Sequence, residues 1–250
     1  MKAFLELDKV SYTYHSKEGE TQALKDITLS VGENEFFSIC GPSGSGKTTI
    51  LSLISGMLLP ESGSISLSDK KITGPTRDIG YMLQKDHLFE WRTVYENVIL
   101  GLEIRKDNSP KKRERVLDLL KKYGLYEFKD SYPSSLSGGM RQRVALIRTL
   151  ALSPRLLLLD EPFSALDYVT RISVQSDVYK IIKSEKITTI LISHDISEAI
   201  SMSDRIAMLS SRPAVVKKIF DIDISGDSPM EKRNNPAFSS VFEKIWKELE

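Results

Sequence analysis

Gly41, Pro42, Ser43, Gly44, Ser45, Gly46, Lys47 and Thr48 fit the spacing G-x-x-x-x-G-K-[ST], a pattern whose chemistry is a grip on polyphosphate. Its glycines let consecutive backbone N–H groups close around phosphate oxygens without side-chain obstruction. Lys47 adds a mobile point charge, Thr48 a hydroxyl for Mg²⁺, and the adjoining Thr49 joins the same nucleotide-binding set. Downstream, the apolar run Leu156-Leu157-Leu158-Leu159 ends in Asp160-Glu161. A carboxylate ending a strand at Asp160 suits a Mg²⁺ ligand, and Glu161 beside it can polarise water for in-line attack on a γ-phosphate. Between these motifs stands Leu136-Ser137-Gly138-Gly139. It offers a hydroxyl and exposed glycine amides at the start of a helix expected over Met140 to Ala151, whose N-terminus favours an anion.

These side chains need elements to carry them. From Phe4 to Val31, short alternating segments such as Leu5-Glu6-Leu7 and Ile27-Thr28-Leu29 predict an antiparallel β element with a polar turn at residues 15–20. Phe36 to Cys40 reads as a strand buried on both faces. A helix is expected from Lys47 to Leu58, with Ile50, Leu51, Ile54 and Leu58 inward and Pro60 as its stop. From about residue 85 to 135 charge runs and helical spacing replace strands. Ser109-Pro110 marks a helix start, Val116, Leu119, Leu120 and Tyr123 share a face, and Gly124 ends it. Residues 105–115 hold six basic and two acidic residues but no aromatic, the pattern of a solvated helix start rather than of a phosphate-binding patch. The apolar runs Leu156–Leu159 and Ile187–Ser193 each follow a helical stretch, the alternation of a parallel sheet. Both end in polar residues, and ligands of open α/β sheets bind at the carboxyl ends of strands. Alternating residues 219–224 predict another strand, and a last helix carries Phe238, Val241, Phe242, Ile245, Trp246 and Leu249 on a face expected to pack on its own domain.

Composition narrows the function class. The 250 residues suffice for one large α/β domain, and 35 Lys and Arg against 34 Asp and Glu give a formal charge of +1. Nothing in that balance pulls the chain globally toward nucleic acid or anionic lipid. A single cysteine, Cys40, has no partner within the chain, in keeping with a reducing cytosol. No apolar stretch approaches the roughly 18 residues of a membrane span, and residues 1–6 lack a signal-peptide pattern. A membrane role is therefore expected to be peripheral.

With the phosphate loop, Leu136-Ser137-Gly138-Gly139 and Asp160-Glu161 in this order, nearly the whole chain resembles the nucleotide-binding subunits of ABC transporters. The resemblance implies ATP and Mg²⁺ as cofactors and ATP hydrolysis as the activity. It implies that Ser137, Gly138 and Gly139 complete the ATP site of an opposing subunit, so that a working site needs two copies. Tyr14 resembles the aromatic that stacks on adenine. Gln84 falls where the family has a glutamine that senses Mg²⁺ and water on a loop touching membrane subunits. Ser164-Ala165-Leu166-Asp167 resembles the loop crossing the dimer interface. His194, 33 residues beyond Glu161 (194 − 161), resembles the switch histidine that contacts the γ-phosphate. The expected fold is α/β, a P-loop NTPase core with a mostly parallel sheet, an N-terminal antiparallel β element and a helical subdomain. Residues 1–250 then form a single ATPase domain, with the helical subdomain at about 85–155 and a C-terminal extension at about 212–250.

Within the family, Met140-Arg141-Gln142-Arg143, residues 91–98 and Leu209-Ser210-Ser211-Arg212-Pro213 resemble the nitrate, sulfonate and taurine importer group. Glu90 departs from the proline that commonly precedes the tryptophan, and Leu83 from the usual aromatic before the glutamine. The resemblance implies two membrane permease subunits, a solute-binding protein, a second ATPase copy and a place on the cytoplasmic face of the membrane, without nucleic acid. An exporter or lipoprotein-release ATPase shares the catalytic motifs and is the alternative. A soluble clamp of the DNA-repair or translation kind fits less well, lacking the long coiled-coil insertion of the one and the second cassette of the other.

Overall fold

The computed structural model describes residues 3–17 and 19–248; Leu249 of the anticipated apolar face lies outside them. The chain opens with a long hairpin, β1 (Leu5–Ser16) and β2 (Gly19–Val31), then β3 (Phe36–Cys40) and α1 (Lys47–Ile54). There follow β4 (Ser62–Leu67), β5 (Lys70–Lys71), β6 (Ile79–Met82), α2 (Val94–Ile104), α3 (Pro110–Lys122) and α4 (Gly138–Leu150). The remainder is β7 (Leu156–Asp160), α5 (Tyr168–Glu185), β8 (Thr188–Ile192), α6 (Ile196–Met202), β9 (Arg205–Leu209), β10 (Val216–Asp221), α7 (Pro229–Asn234) and α8 (Ala237–Trp246).

The strands form two sheets. A four-stranded antiparallel sheet has the order β2-β1-β4-β5. A six-stranded sheet runs β10-β9-β3-β8-β7-β6, parallel except for β10 at its edge. Strands β3, β7 and β8 are buried at every residue, which explains their largely apolar sequences, because a parallel strand is covered on both faces. On one face Leu156 and Leu158 of β7 pack with Ile50, Leu51, Leu53 and Ile54 of α1 and with the antiparallel sheet. On the other, Leu157 and Leu159 pack with residues of α2, α3, α4 and α5. A third cluster joins Cys40, Ile206 and Met208 to α6 and to Ile245 of α8.

Several boundaries differ from expectation. Helix α1 ends at Ile54 rather than Leu58, because Gly56 turns the chain at φ +77° and abuts Gly74 so closely that a Cβ there would lie 2.3 Å from its backbone. The helix expected from Met140 begins at Gly138, two residues earlier, with the Ser137 hydroxyl accepting from the Met140 N–H. Helix α7 was not anticipated; Ser228 caps it and Pro229 occupies its first turn. On α8 only Ile245 is fully buried, Phe238, Val241 and Phe242 pack partly against the core, and Trp246 is 48% exposed.

Candidate functional site

Three parallel strands aim their carboxyl ends at one cleft. After β3 the chain turns through Gly41 to Gly46 and enters α1, with Gly44 at φ +73° and Gly46 at φ +87°. Only glycine adopts these angles readily, and a Cβ on Gly46 would also strike Leu24 at 2.8 Å. The first backbone N–H groups of α1 have no partner within the helix and point to the positive end of its dipole. Lys47 folds back over the loop, donating to the carbonyls of Gly41 and Pro42 at 2.9 Å each. Its burial lowers the ammonium pKa, against the opposing pull of Glu161 and Asp160.

β7 delivers the two acids differently. Asp160 is buried and accepts hydrogen bonds from the Thr48 hydroxyl at 3.4 Å and the Tyr81 hydroxyl at 3.2 Å, while burial raises its pKa. Glu161 takes a left-handed φ of +45°, which turns its side chain out of the strand's alternation. Its N–H still bonds Ile192 O of β8 at 3.0 Å, and its Oε2 lies 3.0 Å from Nδ1 of His194. Asp195 then caps α6 by accepting from the Glu198 N–H. The histidine's position is therefore held by a strand on one side and a helix start on the other.

The resulting cleft, of about 620 Å³, is lined by Tyr14, Ala23, Ser43, Gly44, Ser45, Gly46, Lys47, Thr48, Thr49, Glu161, His194 and Arg212. Tyr14 stands at its rim, edge-on to Tyr12 at 5.0 Å, with its hydroxyl 3.1 Å from that of Thr49. Ser45 Oγ is buried without a partner among the described residues. Gln84 is exposed and outside the cleft lining, but its amide donates to Ser164 Oγ at 3.2 Å, which donates to Glu161 O at 2.9 Å. Ser137, Gly138, Gly139 and Asp167 are not brought into this cleft. The tight packing of Gly139, where a Cβ would meet Val174 at 2.7 Å, fixes the start of α4 against α5. Asp167 caps α5 by accepting from the Thr170 N–H.

Chemically, the cleft can bind a nucleoside triphosphate, with a carboxylate available to activate water. Among the described residues no cluster of three or more His, Cys, Asp or Glu could hold a metal. Thr48 and Asp160 instead offer hard oxygen donors beside the phosphate loop, which suits Mg²⁺ held by one carboxylate together with substrate phosphates.

Sequence reading missed Tyr81 and Arg212. Tyr81 bonds Asp160 only because β6 pairs with β7 in the register Tyr81↔Leu158. Arg212 lies in the run Leu209–Pro213, whose sequence resembles the importer group but carries no chemical motif of its own. The departure at Glu90 finds a partner: its carboxylate accepts from Arg141, which also forks onto Asp86, so the departing residue touches a run that resembles the importer group.

Comparison with known proteins agrees with this geometry. The profile of the ABC transporter family matches residues 24–164. An uncharacterized ABC transporter ATP-binding protein of Bacillus subtilis is 44% identical over 249 residues, covering 99% of this chain and 96% of that protein. A taurine import ATP-binding protein of Jannaschia sp. is 39% identical, covering 91% of this chain and 86% of that protein. A solved dimeric ATP-binding cassette in a post-hydrolysis state, bound to ADP and Pi, superposes with a TM-score of 0.74 at 33% identity, covering 87% of this chain and 98% of that one. Fold, cleft and relatives point the same way, and the chain belongs to the ABC transporter family, in which it is an ATP-binding ATPase resembling the nitrate, sulfonate and taurine import members.

Proposed function

We propose that this chain is the ATP-hydrolysing subunit of an importer for a small solute of the nitrate, sulfonate or taurine kind. Two copies close on ATP and push on two membrane permease subunits, which receive solute from a binding protein. The observation that carries this reading is the separation of the site residues. Lys47, Glu161 and His194 share one cleft, whereas Ser137, Gly138 and Gly139 lie outside it at the start of α4. A helix N-terminus with a hydroxyl and two glycines is an anion site in waiting for the nucleotide of another subunit. A solved relative that is dimeric with ADP and Pi bound supports the pairing of two copies.

Within each cleft Lys47 and the loop amides neutralise and position the phosphates, and Tyr14 stacks on adenine. Glu161 orients and deprotonates the attacking water, while His194 holds the Glu161 carboxylate and approaches the γ-phosphate. Thr48, Asp160 and Gln84 would hold Mg²⁺, whose charge offsets that of the β- and γ-phosphates. Asp167, ahead of α5, lies at the subunit boundary. The helices between β6 and β7 serve as the subdomain facing the permease, within one ATPase domain. No helix of the described residues is long and apolar enough to cross a membrane, and attachment at the cytoplasmic face is through these partners.

Mixing two inactive variants tests the shared site. Lys47→Ala disables a subunit's own loop, and Ser137→Arg puts bulk and charge where the partner's γ-phosphate docks. A heterodimer of the two has one doubly defective site and one intact site, so mixing restores part of the hydrolysis. If Ser137→Arg instead abolishes ATP binding by the monomer as thoroughly as Lys47→Ala, and mixing restores nothing, Ser137 serves its own subunit's site and this reading is wrong.

A further inference from the structure

Arg212 occupies the turn between β9 and β10, and that turn is fastened to the wall of the cleft. Ala214 N–H donates to Ala23 O at 3.0 Å, and Lys25 N–H donates to Ala214 O at 2.9 Å. The turn closes on itself through Ser210 N–H to Val215 O and Val215 N–H to the Ser210 hydroxyl, each at 3.0 Å. Ala214 is fully buried, and Ala23 itself lines the cleft. The backbone on either side of Arg212 is therefore fixed by strand-type hydrogen bonds rather than left as a free loop.

Its side chain extends from this mount over the phosphate loop. A Cβ built on Gly44 would lie 2.9 Å from Arg212 Nη2, so the guanidinium covers the middle of the loop, and a side chain there would displace it. The guanidinium forms no hydrogen bond or ion pair with any of the described residues, in contrast to Arg141 and Arg205, which are each engaged with acids. Its planar fork of five donors matches phosphate oxygens better than any other side chain does. The other cation in the cleft, Lys47, already spends two donors on the carbonyls of Gly41 and Pro42. The position over Gly44 places Arg212 toward the polyphosphate end of the cleft, rather than at the rim where Tyr14 stands.

We propose that Arg212 is a nucleotide-binding residue, its guanidinium contacting the polyphosphate of the bound nucleoside triphosphate from the Gly44 side of the loop. The proposal rests on ATP occupying this cleft with its phosphates in the loop. It gives the run Leu209–Pro213 a chemical role: the turn presents a second cation to the substrate.

Equilibrium binding of MgATP, MgADP and AMP to the full chain, kept dilute so that it stays monomeric, tests it. Arg212→Ala weakens MgATP binding about 10- to 150-fold, the range of a charge-assisted hydrogen bond removed. It weakens MgADP less and leaves AMP within twofold, while Arg212→Lys recovers part of the loss and Arg212→Glu deepens it. The unfolding midpoint without nucleotide stays unchanged, because the side chain has no partner to lose. MgATP affinity of Arg212→Ala within twofold of the parent overturns the proposal, as does an equal loss for AMP and ATP. Lys47→Ala separates the two levels of the argument. If it loses MgATP while Arg212→Ala does not, the cleft reading stands and only the arginine's role falls; if the parent itself binds no MgATP, both fall.

Discussion

His194 Nδ1 stands 3.0 Å from Glu161 Oε2, joining side chains that leave the ends of the neighbouring parallel strands β8 and β7. The contact fixes where the carboxylate points, since Glu161 sits in a backbone conformation at φ +45° that few non-glycine residues adopt. If Glu161 is the base, geometry and charge are separable. Glu161→Gln keeps the shape and loses the basicity, so it binds ATP yet hydrolyses it at least about a hundredfold more slowly, accumulating as an ATP-bound dimer. Single-turnover kinetics with size-exclusion chromatography check both halves, and near-normal turnover would transfer the role to His194.

The segment ahead of α2 separates a structural residue from exposed ones. Asn97 is fully buried and ties residues 89–93 together: its side chain accepts from Phe89 N–H and donates to the carbonyls of Phe89, Arg92 and Thr93. Trp91, by contrast, is 73% exposed and rests on Phe89 at 4.8 Å. Asn97→Leu therefore costs about 2–4 kcal/mol of stability in urea unfolding, through unpaired buried groups. Trp91→Ala stays within about 0.5 kcal/mol. In a reconstituted transporter, Trp91→Ala lowers transport while basal hydrolysis by the isolated subunit is unchanged. Equal loss of both would assign the ring to the ATPase itself.

Glu198 makes stability depend on pH in a direction opposite to that of most carboxylates. It is 4% exposed on α6; Oε2 accepts from Gln175 of α5, and Oε1 has no partner among the described residues. Burial, with Asp195 nearby, pushes its pKa up to about 8, against the weaker opposing effects of Arg171, Ser193 and Arg233. The unfolded chain releases this proton near the ordinary glutamate value and the folded chain only near 8, so the folded state binds more protons in between. Stability then falls as pH rises from about 4.5 to 8. Glu198→Gln flattens that slope and raises the unfolding midpoint most above pH 8. A variant with the parent's pH profile would show that the carboxyl does not titrate in this way.

How far the site could be read from sequence depended on whether its chemistry was local. The phosphate loop and Asp160-Glu161 are legible because consecutive residues form each motif and the strand ends they need follow from apolar runs. The pairings of Tyr81 with Asp160 and of Arg141 with Glu90 are set by strand register and helix packing, which no spacing reports. Arg212 is hidden more deeply, since its place over Gly44 requires knowing that Ala214 docks on β2. The overrun of α1 has a plain cause. Leu58 and Pro60 continue a plausible helical pattern, but Gly56 must reverse the chain beside Gly74, a tertiary demand that overrides the local one.

Strand β7 turns alternate leucines to different neighbours, Leu156 and Leu158 toward α1 and the antiparallel sheet, Leu157 and Leu159 toward the helices that follow β6. A partition wall of this kind lets two tenants remodel separately. Substitutions on the helical side need only respect Leu157 and Leu159, while Leu156 and Leu158 keep the bed of the phosphate-loop helix. One face of a single five-residue strand can thus be refitted while the packing on its other face stays as it is.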